Sequence, residues 1–145
     1  METTNETLAT VTTFDAPVRP TGADDLVVDL TPMRDLAPGI HRQRLVIEGI
    51  PAAPIDAAQI VEYLGALSHV CGMVQLIEPV THRSERYGWA GWIHWETSGA
   101  HFYAWESPQL FFSVDIYTCK AFDSVRAMQF TAGFFGASDV VAQGF

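Results

Sequence analysis

Apolar and polar positions alternate along the second half of the chain in a way that separates strands from helices. Ile40 to Glu48, with Leu45 and Val46 near its middle, reads as a strand, and Gly49 to Pro54 turns. Asp56 followed by Gln59 forms a capping box, and Ile60, Leu64 and Leu67 recur at helical spacing until Gly72. Met73 to Glu78 reads as a second strand, and Thr81 to Arg86 as a polar loop. Trp89 to Glu96, Ala100 to Trp105 and Leu110 to Thr118 are rich in aromatic and β-branched residues, broken only at Thr97-Ser98-Gly99 and Ser107-Pro108. Links this short join antiparallel strands. Asp123 caps a second helix, with Met128, Ala132 and Phe135 on one face and Gly136 as its stop; Asp139 to Ala142 closes the chain as a strand. The order β-α-β-β-β-β-α-β predicts an α+β two-layer sandwich, a mainly antiparallel sheet with two helices on one face.

Residues 1–36 break this regularity. They are rich in Thr, Ala, Asp and Pro, with seven acidic residues, from Glu2 to Asp35, against two arginines. The expectation is a largely disordered acidic arm, with Leu26 to Leu30 as an edge strand or docking patch, followed by one domain over 37–145.

Composition narrows the classes of function. A net charge of −9, with 8 basic against 17 acidic residues, argues against a phosphate-backbone partner. No apolar run approaches the ~18 residues of a membrane span, and no basic-then-apolar leader opens the chain, so a cytoplasmic protein is expected. Cys71 and Cys119 are then thiols and form no CxxC pair. Two His and two Glu, His94, His101, Glu96 and Glu106, lack tight ligand spacing, so no metal site is expected.

Candidate chemistry crowds into Gly88 to Cys119, which holds all four tryptophans, His94, His101, Ser98 and Cys119. Strand alternation puts Trp92, His94 and Glu96 on one side of their strand, away from Trp89 and Trp95, and His101 with Tyr103 on one side of the next. Trp92 and Trp105 are the aromatic faces best suited to a cation or a flat base.

The segment Gly39-Ile40-His41, then Gly88-Trp89-Ala90-Gly91, Ser98, Trp105 and Asp115-Ile116-Tyr117-Thr118-Cys119, resembles the prokaryotic S-adenosylmethionine decarboxylase family in order and spacing over roughly 39–141. The resemblance implies a proenzyme that cleaves itself before the serine, here at Thr97/Ser98. The serine becomes a pyruvoyl group, an electron sink for loss of the substrate carboxylate. It also implies S-adenosylmethionine as substrate, Cys119 as proton donor, Trp105 and Asp115 in the substrate site, and homodimers paired through their sheets.

The chain departs from the family pattern at the processing helpers. Thr97 replaces the Glu before the cleavage point, Gly99 the His after it, Ala90 a Ser, and Tyr103 the processing His; Glu106-Ser107 replaces Pro-Glu. A phenol titrating near ~10 is a poorer base at neutral pH than an imidazole near ~6.5, and His101 lies two positions earlier on the same face. The expected outcome is an unprocessed enzyme without pyruvoyl. It acts on S-adenosylmethionine or a sulfonium derived from it, by carbon–sulfur cleavage or cyclisation that releases methylthioadenosine. Its catalytic candidates are Ser98, Cys119, His101, Tyr103, Glu96 and Glu106, and its substrate-binding candidates are Trp92, His94, Trp105 and Asp115. The alternatives are a pyruvoyl-dependent decarboxylase of polyamine metabolism cut at Thr97/Ser98, and a non-catalytic paralogue that regulates an active enzyme.

Overall fold

A computed structural model describes residues 34–145; the acidic arm up to residue 33, with its apolar patch, lies outside the described residues. Leu36–Phe145 forms one compact unit. Its elements are β1 (Gln43–Ile50), α1 (Ala57–Val70), β2 (Val80–Ser84), β3 (Gly88–Trp95), β4 (Ser98–Trp105), β5 (Phe111–Thr118), α2 (Ser124–Phe134) and β6 (Asp139–Gly144). The strands make one antiparallel sheet in the order β2-β3-β4-β5-β1-β6. The two-layer α+β expectation holds.

Local chemistry explains both helices. Asp56 accepts from the Gln59 amide, while the Gln59 side chain receives the Asp56 N–H, so the capping box at the start of α1 is complete. Gly72, at φ 67, provides the left-handed residue that ends it. Lys120 Nζ donates to the Gly72 carbonyl at 2.6 Å, placing a cation at the negative end of the helix. Asp123 caps α2 by accepting from the Arg126 amide.

The helices bury one face of the sheet. Leu45, Ile47, Ile93, Trp95, Phe102, Phe112, Val114 and Ile116 point toward Ile60, Tyr63, Leu64 and Leu67 of α1 and Ala127 of α2, in one hydrophobic cluster. Gly91 lets α1 settle on β3, because a Cβ there would collide with the Ile60 side chain. Buried polar groups are paired: Trp95 Nε1 donates to Ser68 Oγ at 2.8 Å, Ser68 Oγ to the Leu64 carbonyl, and the Tyr63 hydroxyl meets Thr131 Oγ1. Burial pushes the Tyr63 phenol far above its ordinary range.

Two expectations are corrected. Met73 to Glu78 is no ladder strand; a single bridge pairs Gln75 with Trp95, and Val74, Leu76 and Ile77 stay exposed. Thr81 to Arg86 is no loop for most of its length, since Val80–Ser84 pairs with β3 as an edge strand. Its polar composition suits that place, because His82 and Arg83 on an outer strand discourage further pairing.

Candidate functional site

The face of the sheet away from the helices is open, and alternation decides what it displays. Residues in register across it form rungs. One runs Val80, Trp92, His101, Asp115, Val46, Gln143; the next runs His82, Ala90, Tyr103, Ser113, Glu48, Val141. Trp92 and Tyr103 remain 40% and 42% exposed, although side chains of that size usually bury more of their surface. Trp89 and Trp95 turn to the helix side, so the expected split of the tryptophans is observed.

Two adjoining hollows lie at one end of this face. The first, of about 210 Å³, is lined by His82, Ser84, Tyr87, Gly88, Trp89, Ala90, Tyr103, Ala104 and Trp105. The second, of about 150 Å³, is lined by Val80, Thr81, His82, Ala90, Gly91, Trp92, His101 and Tyr103. His82, Ala90 and Tyr103 border both, and the small Ala90 forms their common floor. The Trp92 and His101 rings are 6.5 Å apart, Tyr103 and Trp105 are 5.8 Å apart, and Trp105 lies 5.3 Å from Phe111. Such a row of ring faces suits a cation or a flat base.

Ser98 and Cys119 sit together elsewhere. Ser98 opens β4 just after the two-residue turn Glu96-Thr97, with its Oγ 3.8 Å from Cys119 Sγ. The Cys119 amide donates to the Thr97 carbonyl at 2.9 Å, the carbonyl that a serine nucleophile at this position would attack. The Thr97 hydroxyl donates to Met73 Sδ at 3.3 Å and receives that of Thr118 at 3.3 Å, so the turn is braced from below. Ser98 has φ 130, a conformation that side chains avoid and that costs about 1–3 kcal/mol.

The expected site residues therefore separate. At roughly 3.3 Å per residue, Ser98 lies about 16 Å from Tyr103 and about 23 Å from Trp105 along β4. His101, Trp92 and Asp115 share one rung between these ends. Ala90 and Tyr103, two of the positions at which the sequence comparison expects processing helpers, are direct cross-strand partners. His94 is exposed opposite Gly99, Glu96 is exposed in the hairpin turn, and Glu106 lies beyond β4, 3.5 Å from Arg83. Among the described residues no group of three or more His, Cys, Asp or Glu is arranged to hold a metal ion, and no helix is long and apolar enough to cross a membrane.

Sequence reasoning passed over two members of this face. Arg44, on β1, donates from Nε to Asp115 Oδ1 at 2.9 Å and from Nη2 to Oδ2 at 2.7 Å. The hydrogen bonds and then the charge of Asp115 raise the guanidinium above its ordinary pKa. His82 read as a surface residue of a loop, and it lines both hollows once that loop is a strand. The alternation Arg44, Val46, Glu48 against Leu45, Ile47 was the available signal for Arg44.

An antiparallel sheet with both helices on one face, an aromatic groove on the other and a strained Ser-Cys turn at one end of β4 make up an α+β sandwich with one open side. The S-adenosylmethionine decarboxylase family matches residues 47–145. Among solved structures, the chain is similar to the adenosylmethionine decarboxylase of Aquifex aeolicus VF5, with a TM-score of 0.61 and 15% identity over 73% of this chain and 89% of that one. No curated protein sequence matches it. The chain belongs to the S-adenosylmethionine decarboxylase family.

Proposed function

We propose that this protein acts on S-adenosylmethionine, or a sulfonium derived from it, without a pyruvoyl group, and cleaves a carbon–sulfur bond to release methylthioadenosine. The observation that carries the reading is the Ala90–Tyr103 rung. Two of the expected departures from the family's processing helpers face each other there, while the aromatic groove around them stays open. A sulfonium seated against Trp92 and Tyr103 gains from their ring faces, and the adenine has Trp105 to stack on. His101, opposite Asp115, is the base. It takes a proton from the substrate's amine or carbon. The freed electron pair then forms the ring bond or double bond as the carbon–sulfur pair leaves with sulfur, which departs neutral.

A second copy of the chain is the expected partner, docked on the open face. Val80, Trp92, Tyr103, Tyr117, Val141 and Phe145 are exposed there. Two facing sheets could bring the Ser98–Cys119 end of one protomer over the groove of its partner, bridging the separation within each chain. The aromatic groove would then be shielded from water.

Ser98 supports a second reading. Its φ of 130 and the Cys119 amide on the Thr97 carbonyl are suited to the opening step of self-cleavage. On that reading the chain is a pyruvoyl-dependent decarboxylase, and the pyruvoyl made from Ser98 would supply the electron sink.

Intact-mass measurement of the purified chain, followed by chromatography of products from S-adenosylmethionine, decides between them. One uncut species of 16.0 kDa that releases methylthioadenosine supports the first reading. Two fragments meeting at Thr97/Ser98, with carbon dioxide released, replace it with the second. An uncut chain that binds no sulfonium defeats both.

A further inference from the structure

The aromatic groove leaves one feature of the open face unexplained. Arg44 and Asp115 form a forked ion pair there, with side chains 48% and 31% exposed, and the Arg44 guanidinium lies 5.3 Å from the centre of the Phe145 ring. An edge and a face of the guanidinium are thus both held. An exposed pair of this kind adds little stability. Its geometry, however, is fixed in advance, which is what recognition of a small charged group needs.

The pair is complementary to a zwitterion. A guanidinium has five N–H donors and a carboxylate about four acceptor positions. The fork uses Nε and one N–H of Nη2, so Nη1 and the second N–H of Nη2 are not committed to Asp115. Each Asp115 oxygen likewise takes one Arg44 donor and retains acceptor capacity. Side by side, the pair offers donors for a carboxylate and acceptors for an ammonium, the two groups an amino acid carries on one carbon.

Its place in the sheet fits the same ligand. Asp115 is in register with His101, and His101 with Trp92. At about 4.8 Å per strand, Asp115 stands roughly 5 Å from the His101 strand and roughly 10 Å from the Trp92 strand, with Arg44 on β1 one strand further. In S-adenosylmethionine, bonds of about 1.5 Å put the carboxylate-bearing carbon some 4–5 Å from the sulfonium. A ligand with its amino-acid end on Arg44 and Asp115 would carry its sulfonium over His101, whose ring is 6.5 Å from that of Trp92, with the adenosyl group toward Trp92 and the hollows around Ala90.

We propose that Arg44 and Asp115 are the receptor for the zwitterionic amino-acid end of the substrate, Arg44 taking the carboxylate and Asp115 the ammonium. The assignment rests on the sulfonium reading above and adds the part of the ligand that the aromatic groove does not recognise.

The test compares two ligands on the full chain by calorimetry: S-adenosylmethionine, and methylthioadenosine, which keeps the adenosyl group and lacks the amino-acid arm. Arg44→Met and Asp115→Asn are expected to weaken S-adenosylmethionine about 10- to 100-fold, the effect of one charge-assisted hydrogen bond, and methylthioadenosine less than about 2-fold. Arg44→Lys falls between, because it keeps the charge and loses the fork. A charge swap, Arg44→Asp with Asp115→Arg, restores an ion pair with its ends exchanged, and S-adenosylmethionine affinity does not return. Equal losses for both ligands, no loss for either, or recovery in the swap overturns the receptor while the sulfonium reading stands. Failure of the unaltered chain to bind either ligand overturns the sulfonium reading, and the receptor falls with it.

Discussion

Replacing Ser98 by glycine measures how much strain the hairpin stores. At φ 130 a residue with a Cβ costs about 1–3 kcal/mol, and glycine removes that cost. Against this, glycine's greater freedom in the unfolded chain costs roughly 0.5–1 kcal/mol. The Oγ–Sγ contact at 3.8 Å is long, so its loss belongs at the bottom of the usual ~0.5–1.5 kcal/mol for a hydrogen bond. The balance leaves Ser98→Gly about 1 kcal/mol more stable than the parent chain. Ser98→Ala keeps the Cβ, and with it the strain, but loses the Oγ; it should be about 0.5 kcal/mol less stable. Urea unfolding followed by tryptophan fluorescence separates the two. For a slope near ~1.5 kcal/mol/M, their difference of about 1.5 kcal/mol moves the midpoint by about 1 M at unchanged slope. The parent should first be shown to be uncut by intact mass. If the glycine variant is no more stable than the alanine variant, Ser98 holds no strain and the geometric argument for self-cleavage loses its main support.

Other outcomes follow from the core and the thiols. Cys119 is exposed and Cys71 is buried, so a thiol reagent should titrate one cysteine in the folded chain and two in denaturant; two fast thiols in the folded state would contradict the packing. Burial pushes the Cys71 thiol up from about 9 to about 12. The unfolded chain therefore ionises first, and the stability held by the neutral buried thiol is full below about pH 9 and lost as pH rises through 12. Cys71→Ala should flatten that alkaline decline in urea midpoints, and an unchanged decline would place its cause elsewhere. Trp95→Phe removes the donor to Ser68 Oγ and part of a fully buried ring, and should cost about 2–4 kcal/mol. A following Ser68→Ala should cost less in that background than in the parent, a coupling that a double-mutant cycle reads directly.

The sequence was legible where local chemistry and burial agree. Asp56 and Gln59 announce α1 because both halves of the capping box are satisfied within three residues. The alternation of β3 to β5 is readable because one face is buried and the other open, so the split of Trp89 and Trp95 from Trp92 follows from parity. Met73 to Glu78 and Thr81 to Arg86 were read the wrong way round for a shared reason. An edge strand gains its structure from hydrogen bonds to a neighbour and can stay polar, while the apolar Val74, Leu76 and Ile77 stay exposed beside one bridge to β3. Alternation put His101 with Tyr103 and Trp92 with His94. Counting residues along β4 separates Ser98 from Tyr103, but alternation could not find the Arg44–Asp115 pair, whose partners are 71 residues apart.

The rung that joins Ala90 to Tyr103 is also a coupled pair. Against the serine and histidine that the sequence resemblance implies for these positions, Ala90 is smaller and Tyr103 larger, so the bulk of the rung sits on one of two facing side chains. Partners in contact change one another's effects, and their substitutions do not add. Ala90→Ser alone sets a hydroxyl under the Tyr103 ring, and Tyr103→His alone leaves the imidazole over a methyl group. A Ser–His rung at this place therefore needs both changes together, since either alone meets a partner of the wrong size.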